Sequence, residues 1–81
     1  MVHTVDKDCD LMTVDEFINN CKSELFIDYD GYGYLCDGVT YDIDNIVYPS
    51  EVGYRLKDTR KYVKNPRFNP NKFTHVVWIN R

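Results

Sequence analysis

Eighty-one residues, 43% hydrophobic and 15% aromatic, make one domain (1–81) near the lower size at which a single core folds unaided. No apolar run nears the roughly 20 residues of a membrane-spanning helix, and the acidic start lacks the apolar stretch of a secretory signal. The net charge of −3 hides a polarity along the chain: twelve acids face two bases up to Glu51, and eight bases face the single Asp58 after it. Such sorting points to a charged partner or to pairing between the halves. The three cysteines, Cys9, Cys21 and Cys36, are odd in number and widely spaced, which fits reduced thiols in a cytoplasmic protein.

Residues 1–11 are polar and acidic and read as a loose arm. A helix follows. Thr13 and Glu16 form a T-x-x-E capping box, and Met12 before the cap with Phe17 at the fourth helical position supplies a hydrophobic staple. Phe17, Ile18 and Cys21 share one face, and the helix is expected to end near Lys22 or Ser23.

Two Asp-Gly pairs come next, Asp30-Gly31 and Asp37-Gly38, each suited to a two-residue type I′ turn. Together they predict a three-stranded meander with strands at 25–29, 32–36 and 39–43. Its register gathers Leu25, Ile27, Tyr29, Tyr32, Tyr34, Cys36, Val39, Tyr41 and Ile43 on one face, leaving mostly polar or small residues on the other. Ile46, Val47 and Tyr48 read as a short fourth strand stopped by Pro49. From Ser50 the spacing of Val52, Leu56, Thr59 and Val63 permits a helix, while Gly53 and the dense positive charge favour an extended loop. Residues 53–71 therefore read as a basic, loop-rich segment with few apolar anchors, exposed or partly ordered. The chain closes on a strand at 73–79, with Phe73, His75, Val77 and Ile79 on one face and Thr74, Val76 and Trp78 on the other.

The fold class that these elements define is α+β, one N-terminal helix packed on an antiparallel sheet of four to five strands. Phe17, Ile18 and Cys21 are expected to cover the tyrosine-rich face of the meander.

No catalytic, metal or cofactor signature emerges. The cysteines and histidines lack the close C-x-x-C or H-x-x-x-H pairs of structural zinc sites. Asp6, Asp8 and Asp10 begin like a calcium loop, but Leu11 and Phe17 stand where Gly and Glu are required. Cys21 or Asp28 with His75 could form a catalytic pair, without a nucleophile motif around either. Gly31 and Gly33 lack the third glycine and the following helix of a phosphate loop.

Two charged segments carry binding readings. Asp28, Asp30, Tyr32, Asp37, Asp42 and Asp44 sit on or beside the turns of a rigid sheet, where carboxylates can imitate backbone phosphates and occupy a protein's nucleic-acid groove. Arg55, Lys57, Arg60, Lys61, Tyr62, Lys64 and Arg67 interleave bases with aromatics, as single-stranded nucleic acid would require.

Three segments, 26–33 (FIDYDGYG), 48–50 (YPS) and 73–81 (FTHVVWINR), resemble those of short phage and prophage accessory proteins. That group includes anti-CRISPR and other anti-defence inhibitors. Taken with the lack of catalytic motifs, the acidic hairpins and the tyrosine excess, this likeness leads to the expectation of a non-enzymatic inhibitor, phage-encoded and acting in the host cytoplasm, that binds a host nucleic-acid-handling or defence protein. The likeness carries over no functional residue, and the bases of 55–67 depart from the usual acidity of nucleic-acid mimics. The alternative reading of the same chain is a small nucleic-acid-binding module that uses residues 55–67.

Overall fold

The computed structural model describes residues 2–23 and 31–80. In chain order the elements are β1 (Val2–Thr4), β2 (Asp10–Thr13), α1 (Val14–Lys22), β3 (Gly31–Cys36), β4 (Thr40–Val47), α2 (Pro49–Val52), β5 (Gly53–Arg55), β6 (Tyr62–Lys64) and β7 (His75–Asn80). They form a five-stranded antiparallel sheet of order β1-β4-β3-β7-β2 and a separate two-stranded sheet, β5-β6. The class is α+β. The helix does not open the chain, because two strands precede it.

The capping box at Thr13 forms as the sequence demands. The Glu16 N–H donates to Thr13 Oγ1 at 3.1 Å, and the Glu16 carboxylate accepts from the Thr13 N–H at 3.4 Å. Asp15 and Glu16 also place negative charge at the positive end of the helix dipole. The Ser23 N–H closes the other end on Asn19 O at 2.9 Å.

The acidic arm is not loose. β1 pairs with β4, His3 facing Tyr41, and β2 pairs with β7, Leu11 facing Val77. Backbone pairing tolerates polar side chains here because both strands are sheet edges, where acids and short length also discourage further pairing. Between them Asp6 Oδ1 accepts the Asp8 N–H at 2.9 Å, so this acid shapes a turn.

Strand 25–29 of the expected meander lies outside the described residues. β3 is bordered by β4 on one side and β7 on the other. The turn at Asp37 is also wider than a two-residue loop, since Cys36 faces Tyr41. Gly38 takes the left-handed φ of 94°, while Asp37 Oδ1 accepts the N–H groups of both Val39 and Thr40 at 2.8 Å. The carboxylate competes with the two-residue turn and wins, producing an Asx-type loop. Ile46 and Val47 are not a separate strand. They continue β4 past a bulge, as Tyr34 faces Ile46 while Cys36 faces Tyr41. The Asp44 N–H bonding to Asp42 Oδ1 at 3.0 Å sits within that irregularity.

Nor does a long helix follow Ser50. Pro49 suits a first helical turn, but α2 ends at Val52, and an extended Gly53 turns the chain into β5. The basic segment is an ordered hairpin, anchored by the buried Val52 before it and by Phe68, packed on the core, after it.

The core contains Val14, Phe17, Cys21, Val47, Val52, Val76 and Trp78, with Met12, Ile18, Leu35 and Phe68 packed against it. Phe17 is fully buried, with its ring 5.9 Å from that of Trp78. Strand register then fixes the covered face. Gly33 faces Trp78 on one side and Val47 on the other, and Leu35 faces Val76, so these residues point toward α1. The tyrosines alternate with them and point the other way. The expectation that α1 covers the tyrosine face is therefore reversed. The physical reason is space at Gly33: a Cβ there would lie 2.6 Å from Val76 Cγ1 and 3.3 Å from Val47 Cγ1, with the Phe17 ring at 3.6 Å.

Two substitutions test this packing by urea or thermal melts. Gly33→Ala should destabilise by about 1–3 kcal/mol through overpacking, and Phe17→Ala by about 3–5 kcal/mol through loss of a buried aromatic. A silent Gly33→Ala would place the helix elsewhere.

Candidate partner-binding surface

On the sheet face opposite α1, five rings from three strands and the turn after β4 form a ladder. His3 stacks on Tyr41 with centroids 5.3 Å apart, and Tyr41 stacks on Tyr34 at 5.4 Å. Tyr34 meets Tyr32 edge to face at 5.4 Å, and Tyr32 meets Tyr48 at 6.2 Å. Pairing puts His3, Tyr41 and Tyr34 on one side of the sheet: His3 faces Tyr41, and both Tyr41 and Ile46 face β3 residues of the same side. Val77 and Cys36 share this face and are buried, whereas the rings are half-buried and Tyr48 is 41% exposed. Among the described residues no helix covers it, since α1 and the core lie on the Gly33 side.

The phenols influence one another. The Tyr34 hydroxyl is pushed up to about 12 by desolvation, then by its hydrogen bond with Tyr32 and the neighbouring tyrosines. Tyr41 is raised as well, again chiefly by desolvation. Tyr34 and Tyr41 therefore present neutral hydroxyls on an aromatic surface, able to donate hydrogen bonds and to bury apolar area together.

Carboxylates and exposed aliphatics border this end of the sheet. Asp37 is held below the ordinary carboxylate range by the N–H groups of Thr40 and Val39, and Asp42 by the N–H of Asp44. Both are fixed anions at neutral pH. Val39 is 66% exposed in the loop before β4 and Ile46 is exposed on the tyrosine side, paired with Tyr34, whereas Val2 and Asp42 pair with each other and point to the α1 side. Of the acidic residues singled out from sequence, Asp37, Asp42 and Asp44 gather around β4, with Tyr32 on the ladder. Asp28 and Asp30 lie outside the described residues. Asp37 and Asp42 also shape their own loops, which sequence reading did not anticipate. It also omitted His3, Tyr34, Tyr41 and Tyr48 from the site by assigning the tyrosine face to the core. The alternation Tyr32-Gly33-Tyr34 held the clue, because the glycine marks the side of close approach.

The basic residues divide. Arg55 and Tyr62 are structural: Arg55 Nη1 donates to Arg60 O at 2.8 Å, Nη2 donates to Lys22 O, and the guanidinium lies 5.8 Å above the Tyr62 ring. Lys57, Arg60, Lys61, Lys64 and Arg67 are exposed.

A Cys21–His75 pair is not assembled. Cys21 lies in the core under α1, where burial pushes its thiol up to about 11, and His75 pairs with Cys36 on the opposite face. His75 Nδ1 is instead 2.8 Å from Thr74 Oγ1. Among the described residues no three His, Cys, Asp or Glu side chains converge as metal ligands, and no helix is long and apolar enough to cross a membrane. Comparison with protein-family models, with curated proteins and with solved structures finds no significant match.

The phenol cluster has a titration signature. An unfolded tyrosine ionises near pH 10, and the raised value in the fold means stability is full below that pH. It is then lost as pH rises from 10 toward 12. Absorbance of phenolate should show one tyrosine ionising last, at about pH 12, and Tyr34→Phe should remove that step. All phenols titrating together near pH 10 would contradict the cluster.

Proposed function

We propose that this chain is a non-enzymatic protein-binding module whose tyrosine-lined sheet face seats on a basic surface of a partner protein. The observation that carries the reading is the ring ladder of His3, Tyr41, Tyr34, Tyr32 and Tyr48 on the face away from the helix. Tyrosine is the side chain most suited to such a role, since it contributes large rigid contact area and a hydrogen bond for little conformational entropy. The exposed Ile46 of β4, paired with Tyr34, extends the apolar area, and the fixed carboxylate of Asp37 in the loop before β4 sets its sign. Complementary charge speeds encounter and fixes orientation, so the partner surface is basic.

A groove that holds phosphates is a basic surface of this kind. The narrower reading joins that chemistry to the resemblance of the chain to phage accessory proteins: a phage-encoded inhibitor that occupies a host nucleic-acid-handling or defence protein in the cytoplasm. The exposed carboxylates of β4 support it, while the basic hairpin lies on the helix side and takes no part.

The test is affinity capture from host lysate, followed by titration of the captured protein with variants. Tyr34→Ala and Tyr48→Ala should each weaken binding by about 2 kcal/mol, roughly 30-fold. Asp44→Lys should slow association without unfolding the chain, because its side chain closes no turn in the way that Asp37 does. Capture undiminished by all three substitutions would remove this face from the mechanism.

A further inference from the structure

We infer that the β5–β6 hairpin is a second binding site, for single-stranded nucleic acid, on the helix side of the molecule. It stands on observations independent of the tyrosine face. The six-residue loop that joins the strands is tied shut from within. The Leu56 N–H donates to Lys61 O at 3.0 Å, the Arg60 N–H to Leu56 O at 3.0 Å, and the Lys61 N–H to Thr59 Oγ1 at 3.3 Å. Arg55 reaches across to Arg60 O from one side and to Lys22 O at the end of α1 from the other. The loop is thus ordered before any ligand arrives, which lowers the entropy cost of binding.

What this rigid loop displays is positive. Lys57, Arg60 and Lys61 are exposed at the tip, Lys64 is exposed at the far end of β6, and Asp58 is the only acid between Gly53 and Lys64. The Arg55 contact also brings exposed Lys22, a base from the acidic half of the chain, to the same pole. Tyr54 faces Val63 across the hairpin, opposite in direction to the inward pair Arg55 and Tyr62, and is 53% exposed. Tyr54 lies in β5 directly before the loop, so its exposed ring offers a stacking platform next to the bases of the tip.

A single strand suits the site better than a duplex. It can follow the hairpin without carrying further phosphates toward the acidic sheet, whereas a rigid duplex extends its charge in both directions.

The experiment is fluorescence anisotropy of the full chain with labelled 15-nucleotide oligo-dT and oligo-U, with polyglutamate as a non-nucleic polyanion. If Lys57, Arg60, Lys61 and Lys64 each neutralise one phosphate, log affinity falls with log salt at a slope of roughly −2.8. Raising NaCl from 50 to 200 mM should then weaken binding by about 50-fold. Tyr54→Ala should weaken it roughly tenfold through lost stacking. Lys61→Ala should reduce affinity and make the slope shallower by about 0.7, while the melting midpoint stays level. Tyr41→Ala should leave oligonucleotide affinity unchanged, which separates this site from the tyrosine face. The inference is overturned by no binding to either oligonucleotide at 50 mM NaCl or by a flat salt response. Polyglutamate binding as tightly as the oligonucleotides would also overturn it, since charge alone would then account for the site.

Discussion

The structure depends on the contact between Phe17 and the bare backbone of Gly33. A Cβ at Gly33 would meet Val76 Cγ1 at 2.6 Å and crowd Val47 Cγ1 at 3.3 Å, while the Phe17 ring would sit at an ordinary 3.6 Å, so the valines keep this position bare and the ring rests on the surface they close. The capping box at Thr13 fixes where α1 begins, and hence that Phe17, rather than a neighbour, points at this gap. Cys21 one turn later and Val14 one turn earlier complete the buried stripe. Once α1 occupies the glycine side, the tyrosines of β3 must face away from it, because side chains alternate along a strand.

The same contact converts a charge pattern in sequence into a pattern in space. α1 carries Lys22 at its end, where Arg55 docks the basic hairpin, and Val52 draws α2 into the same core. The bases of the β5–β6 hairpin therefore collect on the helix side. Asp37, Asp42 and Asp44 collect on and beside β4, next to the β1 edge of the sheet, with Asp42 turned to the α1 side by its pairing with Val2. Among the described residues both helices lie on the Gly33 side, and rings that stack on one another are a way to keep the other sheet face ordered in water.

Local signals were legible in the sequence and long-range ones were not. The helix could be read because its start is written in contiguous residues, Met12, Thr13, Glu16 and Phe17, and the closing strand because Val76, Val77, Trp78 and Ile79 favour no other state. Side-chain alternation separated the two faces of β3 correctly. It could not say which face the helix would choose, because tyrosine is amphipathic and serves equally as core or as surface. The turn at Asp37-Gly38 was placed at the right residues with the wrong length, since a carboxylate that captures two N–H groups outweighs the dipeptide's preference for a tight hairpin. The acidic arm became two edge strands because β4 and β7 offer free backbone edges, a partner that lies dozens of residues away. The basic segment became a hairpin for a similar reason: Arg55 finds its acceptor at Lys22 O, far back in the chain.

The most direct test of the account is the set of nuclear Overhauser contacts made by the Phe17 ring. The packing described here predicts contacts from that ring to the Gly33 α-protons and to the methyl groups of Val76 and Val47, and none to the rings of Tyr34 or Tyr41. Strong contacts from Phe17 to those tyrosine rings, with Gly33 silent, would show the helix on the opposite face and contradict the placement of the tyrosines away from α1.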